Sequence, residues 1–189
     1  MNSRHHLILA SNSPRRQQLL RDAGFEFEVF TQDFDEHFPT NLEALEVAEY
    51  LGIQKNKHYR KLKPDALIIT ADTTVICDHL VLNKPADKAE AIKMLSLLSA
   101  SIHQVVSGVC ISSPEKTISF SDITEVTFDA ISKAEMEYYI DQYQPFDKAG
   151  AYGIQEWIGM TKISAIKGSY FTVMGLPVHK VYQILNSEF

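Results

Sequence analysis

The sequence predicts an α/β fold with a mixed sheet and flanking helices. Three observations carry that prediction. Short apolar runs suited to buried strands alternate with segments whose apolar residues recur at helical intervals. Two long stretches of alternating character, Val105 to Ile111 and Ile118 to Phe128, flank Ser113-Pro114 and read as paired antiparallel strands. No GxGxxG follows the first strand, which excludes a Rossmann fold.

Each element has a local reason. His6 to Ala10 reads as a short buried strand, after which Ser13 suits an N-cap and Pro14 the first helical position. Leu19, Leu20 and Ala23 give that helix an apolar face, and Gly24 is placed to end it. Phe25 to Thr31 alternates as a second strand with Phe25, Phe27 and Val29 on one side. Thr40 and Glu43 have capping-box spacing, so a helix is expected over about 41–59, with Lys55 on its exposed side. Ala66 to Ile69 is a strand running through Ala71-Asp72-Thr73-Thr74 to Cys77. A turn at Asp78-His79 then leads into Leu80 to Leu82. Asp87 with Glu90, and Ser132 with Glu135, are further caps. The helices they open carry Ile92, Leu95 and Leu98 in one case and Met136, Tyr139, Ile140 and Tyr143 in the other. Residues 147–155 are expected to be loop and Ile163 to Ile166 strand. Pro177 opens a last helix with Val178, Val181 and Leu185.

Composition excludes whole classes of function. The 189 residues hold 18 Lys/Arg against 24 Asp/Glu, a formal charge of −6, with 45% hydrophobic and 22% charged types. These values are ordinary for a globular domain, and a chain of this length should bury roughly 70% of its unfolded surface. One domain over residues 1–189 is therefore expected, with two lobes around a cleft as an allowed form. Leu7 to Ala10 is too short for a signal-peptide core, and no run approaches the roughly 18 apolar residues of a membrane span. Cys77 and Cys110 form no CxxC pair, so the simplest expectation is a reduced, cytoplasmic protein without structural zinc. Net acidity argues against a nucleic-acid binder but not against a small anionic substrate, because a few converging cations reverse the sign locally.

Several residues could carry chemistry. In LILASNSPRR, 7–16, a strand ends, hydroxyls follow at Ser11 and Ser13, and a helix opens with Arg15 and Arg16. The free N–H groups and positive dipole end of such a helix suit phosphate oxygens, and an arginine adds a planar donor fork. Read alone, the same segment is also a capped helix with two solvated arginines. Asp72, at the end of a buried strand, could bind Mg²⁺ or accept a proton from water, or simply cap a turn. Asp35-Glu36 could supply a second hard carboxylate from a loop. Lys55 and Lys84 are isolated lysines of the kind usually found at surfaces. In DKAGAYGIQ, 147–155, small residues permit close backbone approach. Gln155 there offers both a donor and an acceptor, the combination that reads the edge of a base. The seven histidines, His5, His6, His37, His58, His79, His103 and His179, show no HxH or HExxH spacing and read as structural or exposed. Trp157 reads as core or as a wall beside Gln155.

The order of these segments is more specific than any one of them. LILASNSPRR at 7–16, ADTTV at 71–75, NKP at 83–85, DKAGAYGIQ at 147–155 and GLP at 175–177 together resemble the Maf family of nucleoside-triphosphate pyrophosphatases, over nearly the whole chain. The resemblance implies hydrolysis of a nucleoside triphosphate to the monophosphate and pyrophosphate with Mg²⁺ or Mn²⁺. It implies an elongated, bent mixed sheet with two lobes around a deep cleft. It puts the catalytic carboxylate at Asp72, with Glu36 beside it near the metal, and the phosphate-side groups at Ser11, Arg15, Lys55 and Lys84. Arg15, Thr73 and Gln155 fall on the specificity positions of the branch acting on dTTP and UTP, where the branch acting on 7-methyl-GTP typically has Trp, Ser and Glu. The expected partners are the nucleotide itself and, at most, a second copy of the chain in a homodimer, with no membrane and no nucleic acid. The sequence departs from the family pattern at Asn83, at Ala100, around Lys55, where it reads Gly52-Ile53-Gln54-Lys55-Asn56, and at Glu156-Trp157 after GIQ. The rival expectation is a nucleotide-binding regulator of cell division that does not hydrolyse its ligand.

Overall fold

The computed structural model describes residues His6–Phe189, and His5 lies outside them. In chain order it contains β1 (Leu7–Leu9), α1 (Pro14–Asp22), β2 (Glu28–Val29), α2 (Val47–Leu62), β3 (Leu67–Cys77), β4 (Leu80–Leu82), α3 (Lys88–Leu98) and β5 (Ile102–Ser112). There follow β6 (Thr117–Phe128), α4 (Lys133–Tyr143), α5 (Trp157–Lys162), β7 (Ile163–Lys167), α6 (Tyr170–Met174) and α7 (Val178–Glu188), with short 3₁₀ turns between some of them. The strands form one mixed sheet in the order β2-β1-β3-β5-β6-β7, and β4 pairs antiparallel with β3. β1 runs parallel to both β2 and β3, with Leu7, Ile8 and Leu9 opposite Leu67, Ile68 and Ile69. β7 pairs antiparallel with β6 across a register shift at Thr127/Phe128. The α/β class with a mixed sheet is therefore as expected. Among the described residues no helix is long and apolar enough to cross a membrane.

The chain divides into two compact units. The first holds the residues up to Asp72 together with Ser107–Asp122 and Gly175–Phe189, and the second holds Thr73–Val106 and Ile123–Met174. In the first, Ile8, Ala10, Tyr59, Ala66 and Ile68 form an apolar cluster covered by Phe30. α2 turns Val47, Ala48, Leu51, Gly52, Lys55, Asn56 and Tyr59 inward, a stripe at the three- and four-residue spacing of one helix face. It lies directly on β5: a Cβ on Gly108 would fall 2.1 Å from the backbone nitrogen of Glu49, so only glycine allows this crossing. In the second unit, Leu95 and Leu98 of α3 and Tyr139 and Ile140 of α4 pack with Val126, Phe128 and Ile154 into a larger core.

Four sequence expectations change. The strand over Phe25 to Thr31 shrinks to Glu28–Val29, because Phe25 instead closes the end of α1 by donating its N–H to the Leu20 carbonyl, 3.2 Å away. The Thr40/Glu43 capping box does not form. Leu42 turns back onto Pro39 and a 3₁₀ turn intervenes, so the helix begins at Val47 and runs to Leu62. Lys55 is buried, not on the exposed side of α2, since it lies one turn from Leu51 and from Tyr59 on the inward stripe. α5 and α6 are additional helices, each too short for its periodicity to register. The Ser132/Glu135 capping box, by contrast, is complete.

Among the described residues the histidines join no group that could hold a metal ion. His6 meets Glu28 and His37 meets Asp35, both at exposed positions. His103 is buried against Phe128 and Tyr152, shares a 2.7 Å hydrogen bond with the Tyr152 hydroxyl, and has no partner for Nδ1. Burial pulls its pKa down to about 4. The unfolded chain would take up this proton near pH 6.5, so the group's stabilisation is complete above that value and is lost as pH falls toward about 4. Denaturant unfolding of the parent should lose up to about 3 kcal/mol through this group across that window. His103→Gln should lose correspondingly less; equal losses for parent and variant would contradict the assignment.

Candidate active site

The first unit assembles a charged cluster from three distant segments. β1 ends at Leu9, and the Ala10 N–H, bonded to the Ile69 carbonyl at 2.9 Å, fixes the exit of the chain toward α1. Ser13 caps α1 with its hydroxyl on the Arg16 N–H, and Pro14 occupies the first helical position. Ser11 is buried and its hydroxyl accepts from the Ser13 N–H at 3.3 Å and from Arg16 Nη1 at 3.4 Å. Arg16 turns inward: Nε donates to the Gly175 carbonyl at 2.7 Å and Nη1 to the Ala71 carbonyl at 2.9 Å, next to Asp72. Burial lowers the pKa of this guanidinium, an effect opposed by the charges of Asp72 and Glu36 and reinforced by Arg15. Arg15 is half-buried on the same turn of helix.

Asp72 is the centre of the cluster. It is buried in β3 and its Oδ1 accepts from Lys55 Nζ at 2.6 Å, while the same ammonium meets Glu36 Oε1 at 2.7 Å. Two carboxylates from a strand and a loop thus converge on one buried cation supplied by α2. Of the residues expected at the site, this unit brings Ser11, Glu36, Lys55 and Asp72 together.

The second unit carries Thr73, Lys84 and Gln155. Thr73 follows Asp72 along β3 and points to the other face of the strand. Lys84 is exposed on the connection between β4 and α3, where the Asn83 carbonyl accepts from the Gly150 N–H at 3.2 Å. Gln155 is partly buried, and its Oε1 is shielded from solvent without a hydrogen-bond partner. Around it lies a set of groups whose mutual contacts the sequence did not show. Lys148 is buried and pairs with Asp147 at 2.7 Å and Glu156 at 3.2 Å. The Tyr139 hydroxyl donates to Glu156 Oε2 and accepts from the Gly153 N–H at 2.9 Å. Trp157 packs partly buried on the core of this unit, edge-on to Tyr138.

Sequence reasoning favoured Arg15 over Arg16, yet Arg16 is the one embedded beside Asp72. A signal for this existed: Arg16 lies three and four residues from the buried Leu19 and Leu20, and so on their face of the helix. Lys148 and Glu156 gave no comparable signal.

Among the described residues no three His, Cys, Asp or Glu side chains gather as a metal cage. The convergence of Asp72 and Glu36 does suit a hard divalent cation, which takes one or two protein carboxylates and completes its shell with phosphate oxygens and water.

Comparison with known proteins decides the family. The model of the Maf-like protein family matches residues 6–188. The chain belongs to the Maf-like family. Among its relatives, the dTTP/UTP pyrophosphatase of Phocaeicola vulgatus is 49% identical over 181 residues, covering 95% of this chain and 94% of the relative. That of Bacteroides thetaiotaomicron is 46% identical with the same coverage. The solved Ham1 protein of Staphylococcus aureus is similar at a TM-score of 0.47 and 18% identity, over 65% of this chain and 71% of that one. The Maf-like segments recognised in the sequence, from LILASNSPRR to GLP, all lie inside the matched range.

In this Maf-like chain the embedded Arg16 should matter for stability as well as for charge. Arg16→Leu strips donors from the Gly175 and Ala71 carbonyls, each such loss costing about 1–3 kcal/mol. A lower urea midpoint with an unchanged slope is expected. Arg16→Lys should recover only part, because one ammonium lacks the guanidinium's fork. An unshifted midpoint for Arg16→Leu would show that these carbonyls do not depend on it.

Proposed function

We propose that the chain is an enzyme that hydrolyses dTTP and UTP to the monophosphate and pyrophosphate, a house-cleaning reaction on nucleotides. The observation that carries the reading is the cluster of buried Asp72 and Lys55 with the exposed Glu36, in a chain 46–49% identical to relatives named dTTP/UTP pyrophosphatase along 95% of its length.

The chemistry is displacement at the α phosphorus. A water oxygen forms the new bond to that phosphorus, and the bond from it to the oxygen bridging to the β phosphorus breaks. Pyrophosphate leaves with that oxygen, and the water proton passes to Asp72. Such reactions ask mainly for positioning and charge neutralisation. In the first unit Ser11, Arg15 and Lys55 offer donors and positive charge to phosphate oxygens, and Arg16 holds the backbone beside Asp72. In the second, Lys84 offers a further cation while Thr73 and Gln155 read the base. Asp72 and Glu36 would hold Mg²⁺ or Mn²⁺. When bound, the ion supplies positive charge beside the phosphate oxygens and acidifies a coordinated water. The −6 net charge argues against a nucleic-acid partner, and the proposed setting is cytoplasmic. A homodimer is compatible with all of this.

Base choice follows from complementarity. Thymine and uracil present an N3–H donor beside the O4 acceptor, whereas cytosine presents an N3 acceptor beside an amino donor. A glutamine amide matches the first pattern by accepting at Oε1 and donating from Nε2. The Oε1 of Gln155 is enclosed and has no donor within the protein, so its accepting capacity is unmet, and the N3–H of a base that displaces its cover would satisfy it.

Asp72→Asn should cut pyrophosphate release from dTTP by about 10²–10⁴-fold while circular dichroism stays parental. Near-parental release would remove Asp72 from the mechanism. Gln155→Glu, which replaces an amide donor by a group that only accepts, should compress the kcat/KM preference for dTTP and UTP over CTP and GTP. An unchanged preference would rule out base reading by this residue.

A further inference from the structure

A glutamine amide can be turned over, and turning it over exchanges the pattern that fits uracil for the one that fits cytosine. Selecting dTTP and UTP through Gln155 therefore requires something that fixes which end of its amide faces which way. The second unit contains such a group. A Cβ built on Gly153 would lie 2.9 Å from Glu156 Oε2, 2.8 Å from Glu156 Cδ and 3.1 Å from Gln155 Nε2, so the carboxylate and the amide nitrogen flank one point. The carboxylate cannot swing away freely. Its Oε1 is paired with the buried Lys148 ammonium at 3.2 Å and its Oε2 accepts from the Tyr139 hydroxyl. That hydroxyl is itself pinned, because it accepts from the Gly153 N–H at 2.9 Å. Lys148 is turned toward this place by Asp147 as well, at 2.7 Å.

We infer that Glu156 is a specificity-determining positioning residue: its fixed negative charge holds the Gln155 amide with Nε2 on the carboxylate side and Oε1 on the other. The hold is electrostatic, with the partial positive charge of Nε2 on the carboxylate side of the amide. The flipped amide would bring the Oε1 dipole against a negative oxygen. The orientation that survives is the one complementary to an N3–H donor, so cytosine is rejected without any contact between Glu156 and the nucleotide. Gly153 is part of the device, since any side chain there would displace the carboxylate. The inference rests on the proposed reading of the base by Gln155, and its test separates the two.

The measurement is the ratio of kcat/KM for dTTP over dCTP in the full chain, with KM and kcat resolved and the melting temperature followed for each variant. Glu156→Gln keeps the shape but presents both a donor and an acceptor to Gln155, so it no longer prefers either orientation. It should lower the ratio roughly tenfold, through a raised KM for dTTP and a gain with dCTP, at a kcat for dTTP within about twofold of the parent. Tyr139→Phe frees Oε2 and should move the ratio in the same direction; where Glu156→Gln does not fold, it decides the matter. A purely structural role would lower the melting temperature and depress both nucleotides alike. If either folded variant keeps the parental ratio while Gln155→Ala collapses it, Glu156 does not orient the amide. If Gln155→Ala itself leaves the ratio at the parental value, base reading by Gln155 fails, and this inference fails with it.

Discussion

The pairing of Asp72 with Lys55 is the constraint on which the first unit is organised. A carboxylate enclosed in a sheet strand is costly unless a cation and hydrogen bonds compensate it, and Lys55 does so from a helix seventeen residues earlier in the chain. The ammonium can reach Oδ1 only because α2 lies against β5 at van der Waals distance, and that distance exists because residue 108 has no side chain. Asn56, the next residue along α2, holds the same registration by donating to the Ile68 and Cys110 carbonyls at 3.2 and 3.1 Å. The chemistry of the site thus depends on a helix–strand crossing that involves no catalytic group. A bulkier residue at 108 would move Lys55 as surely as a change at 55 itself.

An acidic chain proposed to act on a polyanion needs its cations placed with care. Lys55 is shared by two carboxylates, so the three groups together carry one negative charge, which the nearby Arg15 and Arg16 outweigh. That local balance differs in sign from the −6 of the whole chain. Much of the excess acid lies elsewhere, for example in residues 115–147, where acids such as Glu135 are occupied by caps and surface ion pairs. Global charge and site charge are separate quantities here, and only the second bears on phosphate binding.

What could be read from the sequence was what local physics decides. The Ser132/Glu135 box forms because its two hydrogen bonds are made within one helical turn. Asp87 caps α3 in the same local way, with its Oδ1 on the Glu90 N–H at 2.8 Å. Thr40 and Glu43 have identical spacing but fail, because the turn from Pro39 to Leu42 claims the backbone first. The segment order that resembled the Maf family pointed to Asp72, Lys55 and Glu36, although periodicity alone set Lys55 on the wrong side of its helix. What stayed hidden was non-local. Arg16 is defined by carbonyls 55 and 159 residues away. Glu156 is defined by a tyrosine seventeen residues earlier. No spacing rule predicts such partners, since they are chosen by the sheet and not by the segment.

The two units use the same device to different ends. In each, a buried lysine meets one enclosed and one more exposed carboxylate: Asp72 and Glu36 around Lys55, Glu156 and Asp147 around Lys148. The difference lies in the enclosed acid's second oxygen. Glu156 has it occupied by the Tyr139 hydroxyl, whose own ionisation is pushed far up by burial and then by the adjacent carboxylate, so the tyrosine stays a donor and the acid stays fixed. Asp72 is held by the lysine through Oδ1, and the proposed mechanism passes the water proton to this carboxylate. An acid locked at both oxygens is suited to orienting a neighbour and unsuited to exchanging protons. An acid anchored at one oxygen is suited to proton transfer, and its lysine keeps it in place while the proton moves.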